Sequence, residues 1–461
     1  MIFTSVEFLV FAAIVFALYW WGCRGRGILQ NLLLVAASYV FYGWVDWRLC
    51  GLLLLSTGCA YGTGLWMANA QKRKRGAVII SLALNLGILC FYKYFNFFSQ
   101  SFCEAARLVG FSLDLPTLNL VLPIGISFYS FMSISYTLDV YWGKVRPTSD
   151  VVAFFACMDF FPQLLAGPIS RVGTAIEQFK VPRKFDYALA TDGCRQILWG
   201  LFKKIVIADG CAKLTGYIWA DCQTLPGSTL LVGAFIYTMQ IYADFSGYSD
   251  IAIGCGKLFG IRLMRNFAFP YFATNIADFW RRWHISLTTW FRDYVYIPLG
   301  GSRCGRIRHI RNVFVVFLLS GLWHGADWTF VIWGFVHACF FIPMFFLPKG
   351  EGKIRQLVAW AMTFFVVMLA WIFFRAPSIS MAVSYFDNLF SRSLFVLPRS
   401  YLSMMPWLAV MLAVEWLQRG KEHGLALERY PMILRWLFYL AFSIFCITYF
   451  QRSSEFIYFQ F

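Results

Sequence analysis

The strongest constraint on this chain is a series of apolar runs long enough to cross a lipid bilayer. They fall near residues 5–21, 29–45, 49–68, 77–95, 118–141, 205–221, 228–250, 313–347, 356–374, 402–417 and 432–450. A helix needs about 20 such residues to span roughly 30 Å of hydrocarbon. Of the 461 residues, 60% are hydrophobic and 14% charged, a balance no ordinary soluble fold tolerates. The sequence therefore predicts an all-α polytopic membrane protein. The 313–347 run is too long for one span and is interrupted around Gly321 to Asp327, so it reads as two helices. That gives about eleven or twelve transmembrane helices, with re-entrant and interfacial helices besides.

Loops set the expected orientation. Arg24 and Arg26 follow the first run, Lys72 to Arg75 the third, and Lys144 and Arg146 the fifth. Basic loops stay cytoplasmic, which places the N-terminus outside. The first run lacks a basic leader and a small-residue cleavage site, so it is expected to be a retained helix rather than a signal peptide. The same rule accounts for the net charge of +17 without nucleic acid. Thirteen cysteines stand singly with no Cys-x-x-Cys pair, and are read as buried small hydrophobes rather than metal ligands or disulfides. No internal repeat or soluble domain is visible. Residues 1–461 read as a single membrane-embedded domain.

Two segments break the pattern. Val151 to Pro168 is apolar, yet Phe161-Pro162 and Gly167-Pro168 interrupt any helix and both flanks are basic. A re-entrant segment fits better than a crossing. Residues 251–312 form the longest basic stretch. Within it Ile276, Trp280, Trp283, Leu287, Trp290 and Tyr294 recur at spacings of three and four, which predicts one amphipathic helix at the cytoplasmic interface, with His284 on the border of its apolar stripe. A plain interfacial anchor and a cavity-lining helix are both compatible with that spacing.

The residue that stands out chemically is His324, in Trp323-His324-Gly325-Ala326-Asp327. Val313 to Leu319 contains no polar residue, and Trp328 to Met344 contains only Thr329 and His337. An ionisable group at such depth is costly and is a functional-site candidate. Burial disfavours the imidazolium, leaving a neutral ring able to accept a proton. The plain alternative is a core histidine satisfied by a backbone carbonyl. Ser320, His324 and Asp327 share a helical face, but a triad normally converges from separate elements, so Asp327 is expected to orient His324 or to face the opposite membrane surface.

Weaker signals are few. Gly254-Cys-Gly256-Lys-Leu-Phe-Gly260 has the wrong spacing for a dinucleotide loop and reads as tight helix packing or a helix end. Gly300-Gly301-Ser302-Arg303 is a turn with exposed amides that suits either phosphate contact or a plain loop. Asp139, Asp244 and Asp250 lie near ends of apolar runs. A proton-coupled carrier would use such groups, although for Asp244 a partner for a nearby arginine is the simpler role.

Asp278-Phe-Trp-Arg-Arg-Trp-His284-Ile-Ser-Leu-Thr-Thr-Trp-Phe-Arg-Asp-Tyr-Val-Tyr-Ile-Pro-Leu-Gly-Gly301 resembles the signature of the membrane-bound O-acyltransferases, in their bacterial alginate O-acetyltransferase branch. Leu122-Pro-Ile-Gly-Ile-Ser-Phe-Tyr, Phe161-Pro-Gln-Leu-Leu-Ala-Gly-Pro-Ile-Ser-Arg171, Gly321-Leu-Trp-His324-Gly and the terminal Phe456-Ile-Tyr-Phe-Gln-Phe461 are similar to the same branch. The resemblance implies a ring of helices around a thin centre pierced by a tunnel, in a multi-pass protein of the bacterial inner membrane. It implies catalytic roles for His324 and His284 and acetyl-CoA as the cytoplasmic donor. On charge and side, Arg281, Arg282 and Arg303, with Trp283, are the residues expected to hold that donor. No metal is expected. The implied partners are membrane lipid, an extracytoplasmic SGNH-hydrolase-like acetyltransferase and a polysaccharide acceptor such as alginate, with acetylated cellulose or peptidoglycan equally open. D-alanyl transfer toward teichoic acid and a transporter without a bond-making step are the competing functions.

Overall fold

The computed structural model describes residues 1–69, 74–118, 120–345, 352–398, 401–450 and 456–457, and every described element is a helix or a connection. Lys72 and Arg73 of the basic loop after the third apolar run, and the last four residues of the terminal motif, lie outside the described residues. The chain forms two compact units. The first comprises residues 1–2, 6–186 and 259–263, the second residues 3–5, 187–258 and 264–461.

The first unit contains α1 (Val6–Ala17), α2 (Gly27–Gly43), α3 (Leu49–Asn69), α4 (Lys74–Leu89), α5 (Phe95–Leu108), α6 (Ile126–Tyr141) and four short helices, α7 (Val151–Met158), α8 (Phe161–Leu164), α9 (Val172–Ala175) and α10 (Glu177–Lys180). Polar side chains join α3, α4 and α6. Ser56 Oγ lies 2.7 Å from Asn85 Oδ1 and 2.9 Å from Ser133 Oγ, and Ser81 lies 2.8 Å from Thr137. Interhelical hydrogen bonds of this kind hold helices together where lipid removes the hydrophobic drive. Among its described residues the apolar 118–141 run is helical only from Ile126, because Pro123 lacks a donor and Gly125 sits at φ +78°. At eight residues, α7 spans about 12 Å and cannot cross a bilayer.

The second unit contains α11 (Tyr187–Leu201), α12 (Asp209–Ala220), α13 (Gly227–Leu258), α14 (Ile276–Arg282), α15 (Ile285–Phe291), α16 (Arg306–His324), α17 (Trp328–Phe341), α18 (Lys353–Arg375), α19 (Ile379–Leu389), α20 (Met405–Leu417) and α21 (Met432–Thr448). Glycines let α11 and α13 touch backbone to backbone. A Cβ on Gly193 would stand 2.7 Å from the Gly254 carbonyl, and one on Gly200 2.6 Å from that of Gly247. Gly254 therefore serves helix packing, as its spacing suggested. Just beyond α11, Lys203 pairs with Asp250 at 2.6 Å and Lys204 with Asp244 at 2.8 Å, both lysines almost fully buried. Asp244 thus sits inside the 32-residue α13 and partners a lysine, not an arginine at a helix end.

Four described helical stretches are long and apolar enough to cross a membrane: Leu49–Asn69, Lys74–Leu108, Trp328–Phe345 and Lys353–Arg375. Four shorter apolar helices accompany them, Val6–Gly22, Gly27–Gly43, Met405–Leu417 and Met432–Thr448. Helices such as α13 carry buried charges that pair within the protein, so their hydropathy understates how deeply they sit. The 313–347 run divides into α16 and α17, as its interruption predicted.

Candidate active site

His324 is the last residue of α16. Asp327, three residues on, is the N-cap of α17 and accepts a hydrogen bond from the Thr329 amide at 2.8 Å. The chain therefore reverses within Gly325 to Asp327. Bulk is excluded there: a Cβ on Gly321 would fall onto the Phe330 carbonyl, and one on Gly334 onto the Phe317 carbonyl. Two bare helix faces thus meet, and the histidine is fixed where they join. With the helix finished at His324, residues 320, 324 and 327 no longer share a face. Asp327 is committed to capping, so it neither completes a triad nor orients His324.

The His324 side chain is 2% exposed and enclosed by rings. Trp323 lies 5.0 Å away between centroids, Trp333 5.2 Å and Phe374 5.4 Å, each edge-on. His284 lies 6.3 Å away. The two histidines singled out from sequence thus share one buried aromatic chamber in the second unit.

His284 arrives there by a backbone bend. The single amphipathic helix expected over Ile276 to Tyr294 is instead two, because α14 ends at Arg282 and α15 begins at Ile285. His284 lies between them in a left-handed conformation, φ +42°, and is fully buried rather than on an interfacial border. A non-glycine residue pays for that conformation and needs neighbours that impose it. Asn266 does so. Its carbonyl accepts from the Ile285 amide at 2.9 Å. Its side-chain Oδ1 accepts from the Ser286 amide at 3.3 Å and from Ser286 Oγ at 2.8 Å, and lies 3.2 Å from His284 Nδ1.

That convergence sets the tautomer. An amide N–H can only donate, so the Asn266 atom facing Ser286 is the oxygen, and the His284 nitrogen facing the same oxygen must be Nδ1–H. Nε2 is then the acceptor nitrogen. Burial pushes His284 down to about 3, so the ring is neutral at ordinary pH. Asn266→Asp is expected to reverse this, since a carboxylate against Nδ1 favours the imidazolium. The variant should lose activity near pH 7 and regain it as the pH rises and the ring gives up its proton. A pH–rate profile superimposable on wild type would remove Asn266 from the site.

His337 belongs to the same chamber and no motif pointed to it. It stands one turn after Trp333 on α17, fully buried, 4.8 Å from the Trp333 ring and 5.0 Å from Trp280. Neither ring nitrogen has a hydrogen-bond partner among the described residues. The only sequence signal was a second polar residue in the run Trp328 to Met344.

Beside the chamber, α14, α15 and α16 enclose a cavity of about 270 Å³ with mainly apolar walls that include Trp280, Leu287, Phe291 and Phe317. Ser320, one turn before His324, lines it, and Arg281 and Arg292 supply its charge. Of the four residues expected to hold a donor, only Arg281 lines this cavity. Arg281 is largely exposed and 3.5 Å from Asp278, and Arg282 bonds the same carboxylate at 2.9 Å without lining the cavity. Arg303 is exposed on the Gly300-Gly301 turn. Trp283 is fully buried, stacked on Phe279 and 5.0 Å from Trp371, so it builds the chamber wall.

Comparison with known proteins agrees with this architecture. Residues 144–374 match the model of the membrane-bound O-acyltransferase family. The chain is 41% identical over 399 residues to the probable alginate O-acetylase AlgI of Pseudomonas aeruginosa, covering 85% of this chain and 75% of that protein. It is 36% identical over 388 residues to the peptidoglycan O-acetyltransferase of Helicobacter pylori, covering 77% and 73% respectively. Its likeness to the teichoic acid D-alanyltransferase of Bacillus subtilis is 31% over 258 residues, 52% of this chain and 64% of the other. A helical, multi-pass membrane protein with this match across most of its length belongs to the membrane-bound O-acyltransferase family and is an acyltransferase.

Proposed function

We propose that the protein transfers an acetyl group from cytoplasmic acetyl-CoA across the inner membrane for O-acetylation of an exported polysaccharide such as alginate, with His324 as general base. The observation that carries this is the pairing of two buried imidazoles 6.3 Å apart beside an apolar cavity edged by arginine. The cavity suits an extended thioester arm, and Arg281 at its edge suits the donor's phosphates; Arg282 and Arg303 extend the same basic surface. His324 takes the proton from an acceptor hydroxyl as its oxygen bonds the acetyl carbon. The carbon–sulfur bond then breaks and the departing thiolate recovers that proton. The transient imidazolium lies at the carbonyl end of α16, where positive charge is favoured. His284 Nε2, held as an acceptor by Asn266, assists at the same centre.

The acetyl reading is preferred to D-alanyl transfer because the acetylase relatives align over most of the chain and the alanyltransferase over about half. An SGNH-hydrolase-like partner at the extracytoplasmic face completes the scheme, with the N-terminus on that side. Reconstitution in liposomes with labelled acetyl-CoA inside tests it. Label should appear on an external polysaccharide once the partner is added, and free CoA should accumulate inside. No CoA release from labelled acetyl-CoA, or transfer of label when D-alanine charged on its carrier protein is supplied as the labelled donor instead, would overturn the proposal.

A further inference from the structure

A second cavity, of about 670 Å³, lies wholly within the first unit, between the end of the Val6–Gly22 helix and the 183–185 segment. Phe16, Trp20, Trp21 and Phe185 give it aromatic walls, and Arg24, Arg183 and Lys184 give it charge. Arg183 is the unusual member. It is 6% exposed, yet every partner it has is neutral. Nε donates to the Tyr19 hydroxyl at 2.6 Å, and Nη1 to the carbonyls of Gln178, Phe179 and Val181 at 3.3–3.4 Å. Its Nη2 is buried with no hydrogen-bond partner among the described residues. No ion pair among them includes Arg183, Arg24 or Lys184.

A buried guanidinium without a carboxylate is costly, and an unmet pair of N–H donors adds to that cost. The fold nevertheless holds Arg183 rigidly. Gln30 clasps its backbone in both directions, accepting from the Arg183 amide at 2.9 Å and donating to its carbonyl at 3.1 Å. Asn31 fixes the Phe179 carbonyl at 2.8 Å. Gly260, at φ +74°, has its missing Cβ 3.4 Å from Arg183 Cγ and 3.6 Å from the Trp20 ring. The cation is pre-organised for an anion.

We propose that this cavity binds the phosphate of an anionic phospholipid, with Arg183, Arg24 and Lys184 on the headgroup and the aromatic walls against its glycerol and upper acyl chains. Guanidinium groups recognise phosphate through paired N–H donors, which matches what Nη2 has to offer. A lipid is favoured over soluble phosphate by the rim. Trp21 is 73% exposed and Phe185 50% exposed, at the end of an apolar helix where tryptophan sits in a membrane interface. A soluble anion would gain nothing from those rings.

The test uses the full-length protein, delipidated in neutral detergent and titrated with phosphatidylglycerol or phosphatidylcholine while its melting temperature is followed. Phosphatidylglycerol should raise the melting temperature saturably and phosphatidylcholine should not. Arg183→Met risks misfolding, since Arg183 also ties Tyr19 to three carbonyls. The exposed pair Arg24→Gln/Lys184→Gln avoids this, and should weaken phosphatidylglycerol binding by about tenfold while leaving the lipid-free melting temperature unchanged. Equal response to the two lipids, or wild-type phosphatidylglycerol binding by the double variant, would overturn the proposal. So would displacement of phosphatidylglycerol by millimolar inorganic phosphate or CoA, which would make the site one for a soluble anion.

Discussion

His324→Ala is expected to abolish acyl transfer, lowering turnover by about 10²–10⁴-fold if general-base catalysis is its whole contribution. The protein should still insert and fold, because the ring packs by edge contacts against Trp323, Trp333 and Phe374, which remain to hold the chamber. Removing it leaves a small hole among aromatic rings. The measurement is release of CoA from acetyl-CoA by the purified variant, alongside its melting curve. Turnover within a factor of two of wild type, in a protein that melts normally, would end the assignment of His324. Asn266→Asp supplies an independent view of the same centre through its pH dependence.

Gly334→Val is expected to destabilise the protein strongly. The missing Cβ would occupy the space of the Phe317 carbonyl, a backbone atom that cannot swing aside, and the facing Gly321 leaves the matching space by Phe330. Overpacking of this kind costs about 1–3 kcal/mol, with more where backbone must move. Because α16 and α17 meet only if both faces stay bare, the variant should melt well below wild type and lose activity with the fold. Gly216→Val, at a helical glycine where nothing lies within 4 Å, is the matched control and should not lower the melting temperature. An unchanged melting temperature for Gly334→Val would mean that the two helices do not depend on this contact.

The deep histidine was legible because its neighbours are so apolar that any polar residue there is conspicuous. The division of 313–347 was legible because Gly325 and Asp327 are turn and capping residues. The bend at His284 was not. Ile276, Trp280 and Trp283 keep helical spacing with Leu287, Trp290 and Tyr294 straight across it, and neither proline nor glycine marks the break. What breaks the helix is Asn266, about twenty residues earlier, which takes the amides of Ile285 and Ser286. A restraint imposed by tertiary structure leaves no trace in local periodicity. The same holds for His337, whose aromatic company comes from α14, α16 and α18, and for Arg183, whose missing counter-charge is visible only once Gln30, Asn31 and Tyr19 are in place. Apolar spans were easy to find. Helices with internally paired charges were harder, since hydropathy counts a compensated lysine as though it faced lipid alone.

Those compensated lysines also bear on how the protein is made. Lys204 gains a partner within its own stretch, Asp209 at 2.9 Å, but Lys203 leaves the ribosome more than forty residues before Asp250, which neutralises it. The uncompensated ammonium group of Lys203 opposes release of its helix into lipid as a solitary segment. The insertion machinery is therefore expected to retain that helix until α13 has been synthesised, and to deliver the two as a hairpin with Lys203 already matched to Asp250.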